Sequence, residues 1–503
     1  MSFYVTTPIY YVNAAPHLGH AYTSIAADVV ARHHRALGEE TFFLTGTDEH
    51  GEPVTFAAAD AGVSPQELVD RNAERFRELT GLLELSNDFF IRTTDEGHKR
   101  GVQEFLQRVY DNGHVYPGLY EGWYCPRCAD FKTESEIGPG NTCPIHLIPL
   151  EREREDTWFF RLSAFQEPLE RLYAERPDFV RPRHAFNEVR SFVARGLVDV
   201  SLTRAAVSWG VTVPWEPTHV FYVWFDALLN YVTALEYARP GESLARLWPA
   251  ELQLIGKDIS KFHAIYWPAL LMAGDFEPPR QLFVHGFLLG PDDAKMSKSR
   301  GNVLDPLAII AAYGADALRH YLFREVTFGQ DGAVSQEGFQ ARYDAELANE
   351  YGNLASRTLN MLARYCDGLV PAVATDPQLR ADLGGLFATV DELLARVELS
   401  VALEEIWQRV RRLNRYVEER APWALARDPA RADELASVLA SLAEGLRVVT
   451  VALAPYMPSR TAALLDALGA PRPLAREFAA SGWGGATHPL APLFPKSVER
   501  DAA

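Results

Sequence analysis

Hydrophobic positions follow two different rhythms along this chain, and the change between them divides it. Through roughly the first 110 residues, short β-branched and aromatic runs at 3–7, 41–45 and 88–92 alternate with stretches of helical spacing. Tyr22, Ile25, Ala26, Val29, Val30 and His33 form the clearest such stripe. Strands that alternate with helices predict a parallel sheet covered by helices. From about 116 to 215 the pattern gives way to a segment rich in Gly, Pro and Cys and then to polar, Arg-rich stretches, before runs at 252–256 and 281–285 resume it. Beyond about 335 nearly everything reads as amphipathic helix: Leu403, Ile406, Trp407, Val410, Leu413 and Val417 make one stripe, and Leu435, Val438, Leu439, Leu442, Leu446, Val449 and Leu453 another. The expected fold is an α/β parallel-sheet domain at 1–115 and 216–334, split by an insertion at 116–215 and followed by an all-α bundle at 335–503. The stretch 479–503 reads as a loosely packed tail.

Composition narrows the function. A chain of 503 residues, 48% hydrophobic, is large enough for about three domains with their own cores. With 49 Lys plus Arg against 67 Asp plus Glu, a formal charge of -18 excludes a protein that grips nucleic acid by bulk positive potential, so any such contact must be local. No apolar run approaches the roughly 20 residues of a membrane span, and no basic segment followed by an apolar one opens the chain. A cytoplasmic protein with no membrane partner is expected. The four cysteines lie at Cys125, Cys128, Cys143 and Cys366, which is not the spread of a disulfide framework. Cys366 reads as an ordinary buried thiol.

The first three carry chemistry. Cys125-Pro126-Arg127-Cys128 and Cys143-Pro144-Ile145-His146 are two tight pairs, and three thiolates with one imidazole fill the tetrahedral shell of Zn²⁺ with no place left for water. One structural zinc ion is expected, and a disulfide or unpaired thiols are the alternative. Two further motifs face each other across the sequence: His17-Leu18-Gly19-His20 directly after the first strand, and Lys295-Met296-Ser297-Lys298-Ser299 after a later one. A helix start favours an anion through its N–H groups and dipole, while a doubly cationic loop suits a polyphosphate whose charge grows as pyrophosphate leaves. Taken singly, the histidines could be a helix cap and the lysines a solvated turn.

These two loops resemble the HIGH and KMSKS signatures of class I aminoacyl-tRNA synthetases, whose Rossmann-like fold matches the split sheet. The resemblance narrows to the methionyl family through Thr6-Thr7-Pro8-Ile9-Tyr10-Tyr11-Val12-Asn13, Gly46-Thr47-Asp48-Glu49-His50-Gly51, Tyr222-Val223-Trp224-Phe225-Asp226-Ala227-Leu228-Leu229-Asn230-Tyr231 and Gly256-Lys257-Asp258-Ile259-Ser260-Lys261-Phe262-His263. It implies that L-methionine is activated with ATP and Mg²⁺ to methionyl-adenylate, then transferred to the terminal adenosine of tRNA(Met). His17, His20, Lys295 and Lys298 would be catalytic, with Gly19, Gly256, Asp258 and Ser297 also binding ATP. Asp48 would hold the ammonium, and Ile9, Tyr11, Trp224, Ala227 and Leu228 would line the pocket, with Tyr231 and His263 near the sulfur. An apolar, polarizable pocket with a carboxylate is what methionine requires, although Trp224, Tyr231 and His263 also fit a plain helical core. Asn353, Arg357 and Trp423 match positions at which the family reads the CAU anticodon, by stacking and by base-edge hydrogen bonds. Alone they read as a polar i, i+4 pair and a boundary aromatic. The single Cys/His set resembles the one-knuckle branch, and a monomer is expected. The alternatives are another class I synthetase, a noncatalytic tRNA-binding relative, or a small nucleotidyltransferase.

Overall fold

The computed structural model describes residues 2–127, 130–132, 134–145, 147–290 and 304–496. The chain divides into two compact units, one formed by 1–81 and 85–285 and the other by 82–84 and 286–503.

The first unit is built on a seven-stranded sheet in which every pairing is parallel. Its order runs Tyr10–Tyr11, Glu40–Asp48, Ser2–Thr6, Leu252–Gly256, Leu282–His285, Val180–Arg181, and Phe89–Arg92 also pairs with Glu40–Asp48. Eight of the nine residues of Glu40–Asp48 are buried, as a strand covered on both faces requires. The helix Leu18–Ala36 buries the whole stripe read from its spacing, from Tyr22 to His33. The residues between 116 and 215 do two things. They fold a four-stranded antiparallel sheet of Asp130–Lys132, Val115–Cys125, Glu151–Phe160 and Val200–Ser201. They also supply the edge strand Val180–Arg181 and two helices, Gln166–Glu175 and Arg183–Val193, whose Leu169, Tyr173, Phe186 and Val189 share one apolar cluster with Tyr4, Leu44 and Val284 of the parallel strands.

The second unit is helical. Both stripes expected in it are buried throughout, on Leu399–Arg420 and Ala432–Leu453. Gly445 lets these two helices meet, since a Cβ there would stand 2.4 Å from Leu413 Cδ2. Two expectations are corrected here. The segment Pro429–Leu453 is long and apolar enough to cross a membrane by composition, but 83% of its most apolar window is buried in this unit. It is a core helix, and its two central charges, Glu444 and Arg447, are buried as a pair at 2.6 Å. The tail, too, is held against this unit over its described part, which ends at 496. Arg447 donates to Glu477 O at 2.7 Å, Ala479 N donates to Glu444 Oε1 at 2.6 Å, and Phe494 is buried against Tyr343 and Tyr351. A buried charged pair needs its remaining hydrogen-bond capacity filled, and the tail's backbone fills it. Elsewhere in this unit the fully buried Arg319 donates to the carbonyls of Leu83, Pro455 and Tyr456 at 3.1, 2.7 and 2.8 Å.

Candidate active site

In an open parallel sheet, ligands bind beyond the carboxyl ends of the strands where the strand order reverses. Here that point lies between Ser2–Thr6 and Leu252–Gly256, and the expected nucleotide residues flank it. His17 caps the helix Leu18–Ala36: its Nδ1 accepts from Gly19 N–H at 3.1 Å, and His20 Nδ1 accepts from His17 N–H at 3.1 Å. The two rings stack with centroids 3.8 Å apart. Burial, and then the neighbouring His17, push the His20 pKa well below the usual histidine value, so His20 is neutral. Because Nδ1 accepts in both residues, a neutral ring carries its proton on Nε2. Capping is therefore compatible with anion binding by these side chains, since it sets a tautomer whose Nε2–H can donate. Gly19 suits this fold-over, since a Cβ would sit 3.0 Å from His17 Cε1 and press on the ring. At the neighbouring strand end a Cβ on Gly256 would lie 2.6 Å from Asp258 Oδ1, so glycine admits the exposed Asp258 there. Lys295, Ser297 and Lys298 lie outside the described residues.

Asp48 ends the strand Glu40–Asp48, 2% exposed. Burial first, and the Asp226 carboxylate second, push its pKa well above the usual carboxylate range, against support from the His50 N–H and from Tyr11. Its Oδ1 has no hydrogen-bond partner among the described residues. Around it, Tyr11 meets Trp224 edge-on at 6.1 Å, and Trp224 stacks on Phe262 at 3.8 Å and 7°. Ile9, Tyr11, Trp224 and Ile259 border the main apolar cluster, to which Leu228 and Tyr231 belong, while Ala227 is buried beside them in sequence. His263 Nδ1 lies 3.1 Å from Ile259 O and therefore donates to it, which leaves Nε2 to accept from the Tyr231 hydroxyl at 2.7 Å. Burial lowers the His263 pKa to about 4, consistent with that neutral ring. Phe262 and the buried set His50, His98 and Asp226 were not singled out from the sequence. Phe262 carried a signal, its place directly before His263 in a family motif.

Residues 3–152 and 147–359 match the family model described as "tRNA synthetases class I (M)". A protein of Caldanaerobacter subterraneus subsp. tengcongensis named methionine–tRNA ligase is 44% identical over 473 residues, covering 93% of this chain and 74% of its own. One of the same name from Rickettsia bellii is 42% identical, covering 93% and 92%. The structure superposes with a TM-score of 0.93 on Mycobacterium tuberculosis methionyl-tRNA synthetase in complex with methionyl-adenylate, at 42% identity over 98% of this chain and 99% of that one. This chain belongs to the class I methionyl-tRNA synthetases.

Two other regions expected from the methionyl-tRNA synthetase resemblance are partly visible. Cys125 and Cys143 are both fully buried in one small cluster with Leu150, flanked by Trp123, Ile137 and Ile148. Cys128 and His146 lie outside the described residues, and among the described ones no three His, Cys, Asp or Glu side chains are grouped to hold a metal. In the helical unit, Arg357 on Asn353–Tyr365 stands 5.5 Å over the ring of Trp423, which is 37% exposed, and pairs with Glu418 at 2.8 Å. Asn353 is exposed one turn before Arg357 on the same helix face. Cys366, expected as a buried thiol, is half-buried.

Proposed function

We propose that this member of the methionyl-tRNA synthetases activates L-methionine with ATP to methionyl-adenylate and pyrophosphate, then esterifies the methionyl group to the terminal adenosine of tRNA(Met). The observation that carries the amino-acid reading is Asp48: a buried carboxylate with an orphan oxygen, held at a strand end beside an aromatic wall. A buried anion in want of a partner costs several kcal/mol, and an ammonium group supplies the partner. Ile9, Tyr11, Trp224, Ala227 and Leu228 then enclose the side chain, with Tyr231 and His263 toward its sulfur. Because Tyr231 donates to His263, its lone pairs are what remain for a ligand.

In the first step the methionine carboxylate attacks the α-phosphorus of ATP, and pyrophosphate leaves. The protein contributes no nucleophile. His17 and His20 donate from Nε2 to the phosphates, Gly19 and Gly256 let the nucleotide approach the backbone, and Asp258 assists in binding it. Lys295, Ser297 and Lys298 complete the charge stabilisation, with Mg²⁺ arriving on ATP. Cys125, Cys128, Cys143 and His146 hold one structural Zn²⁺ in the connective insertion at 116–215. Two fully buried thiols in so small an apolar cluster fit that donor set. Loss of one zinc per chain on Cys143→Ser checks it by metal analysis. Asn353, Arg357 and Trp423, in the bundle at 335–503, contact the anticodon, and the enzyme works in the cytoplasm as a monomer.

The first test is amino-acid-dependent exchange of pyrophosphate into ATP across all twenty amino acids without tRNA. Exchange with methionine alone is expected. Exchange with a different amino acid overturns the pocket, and none at all overturns the activity.

A further inference from the structure

One buried polar set in the first unit has no part in the chemistry above. Asp226 is fully buried, and it accepts from His50 Nδ1 on Oδ2 at 2.6 Å and from His98 Nε2 on Oδ1 at 2.8 Å. His98 Nδ1 in turn lies 2.7 Å from Thr233 Oγ1. Each member stands on, or directly follows, an element that carries a proposed pocket residue or braces one. His50 follows Asp48 by two positions, and its backbone N–H supports the Asp48 carboxylate. Asp226 sits on Val223–Leu228, with Trp224, Ala227 and Leu228, and Thr233 sits on Asn230–Tyr237, with Tyr231. His98 reaches in from Glu96–Asp111, which comes close because Gly101 faces Thr233, where a Cβ would be 2.6 Å from Thr233 Cγ2. Such a set is not needed for hydrophobic burial. Four polar side chains in an apolar core are costly unless they fix one arrangement.

We propose that Asp226 is a positioning residue for the amino-acid pocket, which through His50 and His98 locks the strand end bearing Asp48 to the two helices bearing Trp224 and Tyr231. This rests on the assignment of Asp48 to the methionine ammonium. Asp226 also acts on Asp48 through space. Although burial alone would raise its pKa, His50 and His98 hold Asp226 down at about 2, so it is a permanent anion. The groups facing Asp48 are Tyr11, Tyr231, the His50 N–H, Glu49 and Asp226. Glu49 is matched by Arg92 at 2.8 and 2.9 Å, which leaves Asp226 as the second cause, after burial, of the raised Asp48 pKa. The fixed charge of Asp226 thus adds to burial in disfavouring the ionised form of Asp48 in the free pocket.

The test is Asp226→Asn in the full chain, read by methionine-dependent pyrophosphate exchange over about pH 5.5 to 8.5. Displacing the pocket wall raises the methionine KM about tenfold, while the ATP KM stays within about twofold. Removing the like charge moves the acidic limb of kcat/KM for methionine about one unit toward lower pH, a shift that a loss of packing alone does not produce. An unchanged methionine KM and an unmoved limb overturn the proposal. Asp48→Asn separates this from the underlying assignment: if it retains normal methionine KM, both readings fall, whereas if it loses methionine and Asp226→Asn changes nothing, only the role of Asp226 falls. Should Asp226→Asn not fold, His98→Phe keeps the carboxylate and the ring volume and removes one of its hydrogen-bond donors. It then raises the methionine KM severalfold with the ATP KM unchanged, and no rise overturns the proposal.

Discussion

The end of the parallel sheet around Asp48 and the helix face around Arg357 are both proposed to recognise a ligand, yet they are built in opposite ways. Asp48 is buried, lacks a partner for one oxygen, and is held by neighbours that fix its place. Arg357 already has an ion-pair partner in Glu418 and a ring beneath it in Trp423, both open to solvent. A small zwitterion must be chosen by a few contacts, so each contact is made strong by the exclusion of water. An RNA loop offers many contacts, and each can be weak, screened and exchangeable.

The sharpest way to break that contrast is Asp48→Asn. It leaves a bound ammonium without its counter-charge and is expected to cut kcat/KM for methionine about 10³-fold, since removing one partner of a buried pair costs roughly 3–5 kcal/mol. A loss of under about tenfold in pyrophosphate exchange would remove Asp48 from the site. Trp423→Ala is expected to be milder and to fall elsewhere: about a tenfold loss in aminoacylation of tRNA(Met), the stacking of about one base, with pyrophosphate exchange unchanged. Equal losses in both assays would mean that Trp423 supports the fold and reads no base.

A smaller effect concerns pH. An acid whose folded pKa is raised favours the folded state below its unfolded value of about 4, and that contribution is lost as pH climbs through the raised range. The melting temperature of Asp48→Asn should therefore gain on that of the wild type between about pH 4 and pH 8 in the absence of methionine, and methionine should close the gap. Parallel melting curves at every pH would show that Asp48 is not strained when empty. The smallest effect is expected for Trp224→Phe, which keeps a ring against Phe262 but removes an indole N–H that has no partner among the described residues. About a twofold rise in methionine KM is the size expected when one weak hydrogen bond is removed.

Legibility in the sequence followed the length of the pattern. Stripes of six or seven apolar positions on Leu18–Ala36, Leu399–Arg420 and Ala432–Leu453 announced their helices, and all are buried. The edge strand Val180–Arg181 has two residues and thus no period to detect. The packed tail was missed because it is held by backbone groups that meet Glu444 and Arg447, which composition does not reveal. Within the site, His17 and His20 were legible because they adjoin a strand end, and the family motifs pointed to Asp48 and Trp224. The union of His50, His98 and Asp226 was not, because a lone histidine in an apolar stretch reads as core and nothing local ties positions 50, 98 and 226 together. Their meeting depends on which helices pack against the end of the strand Glu40–Asp48.

The clamp of Arg319 bears on how this chain can be cut into genetic modules. Leu82–Glu84, an early piece of sequence, belongs to the late helical unit, and Leu83, fully buried, gives Arg319 one of its three carbonyls. A fragment that starts at Gly286 leaves that guanidinium short of an acceptor, and one that stops at His285 carries Leu83 without the arginine it serves. Neither half is a self-contained reagent, so a separately expressed helical module should be made with the 82–84 segment restored, for instance by circular permutation.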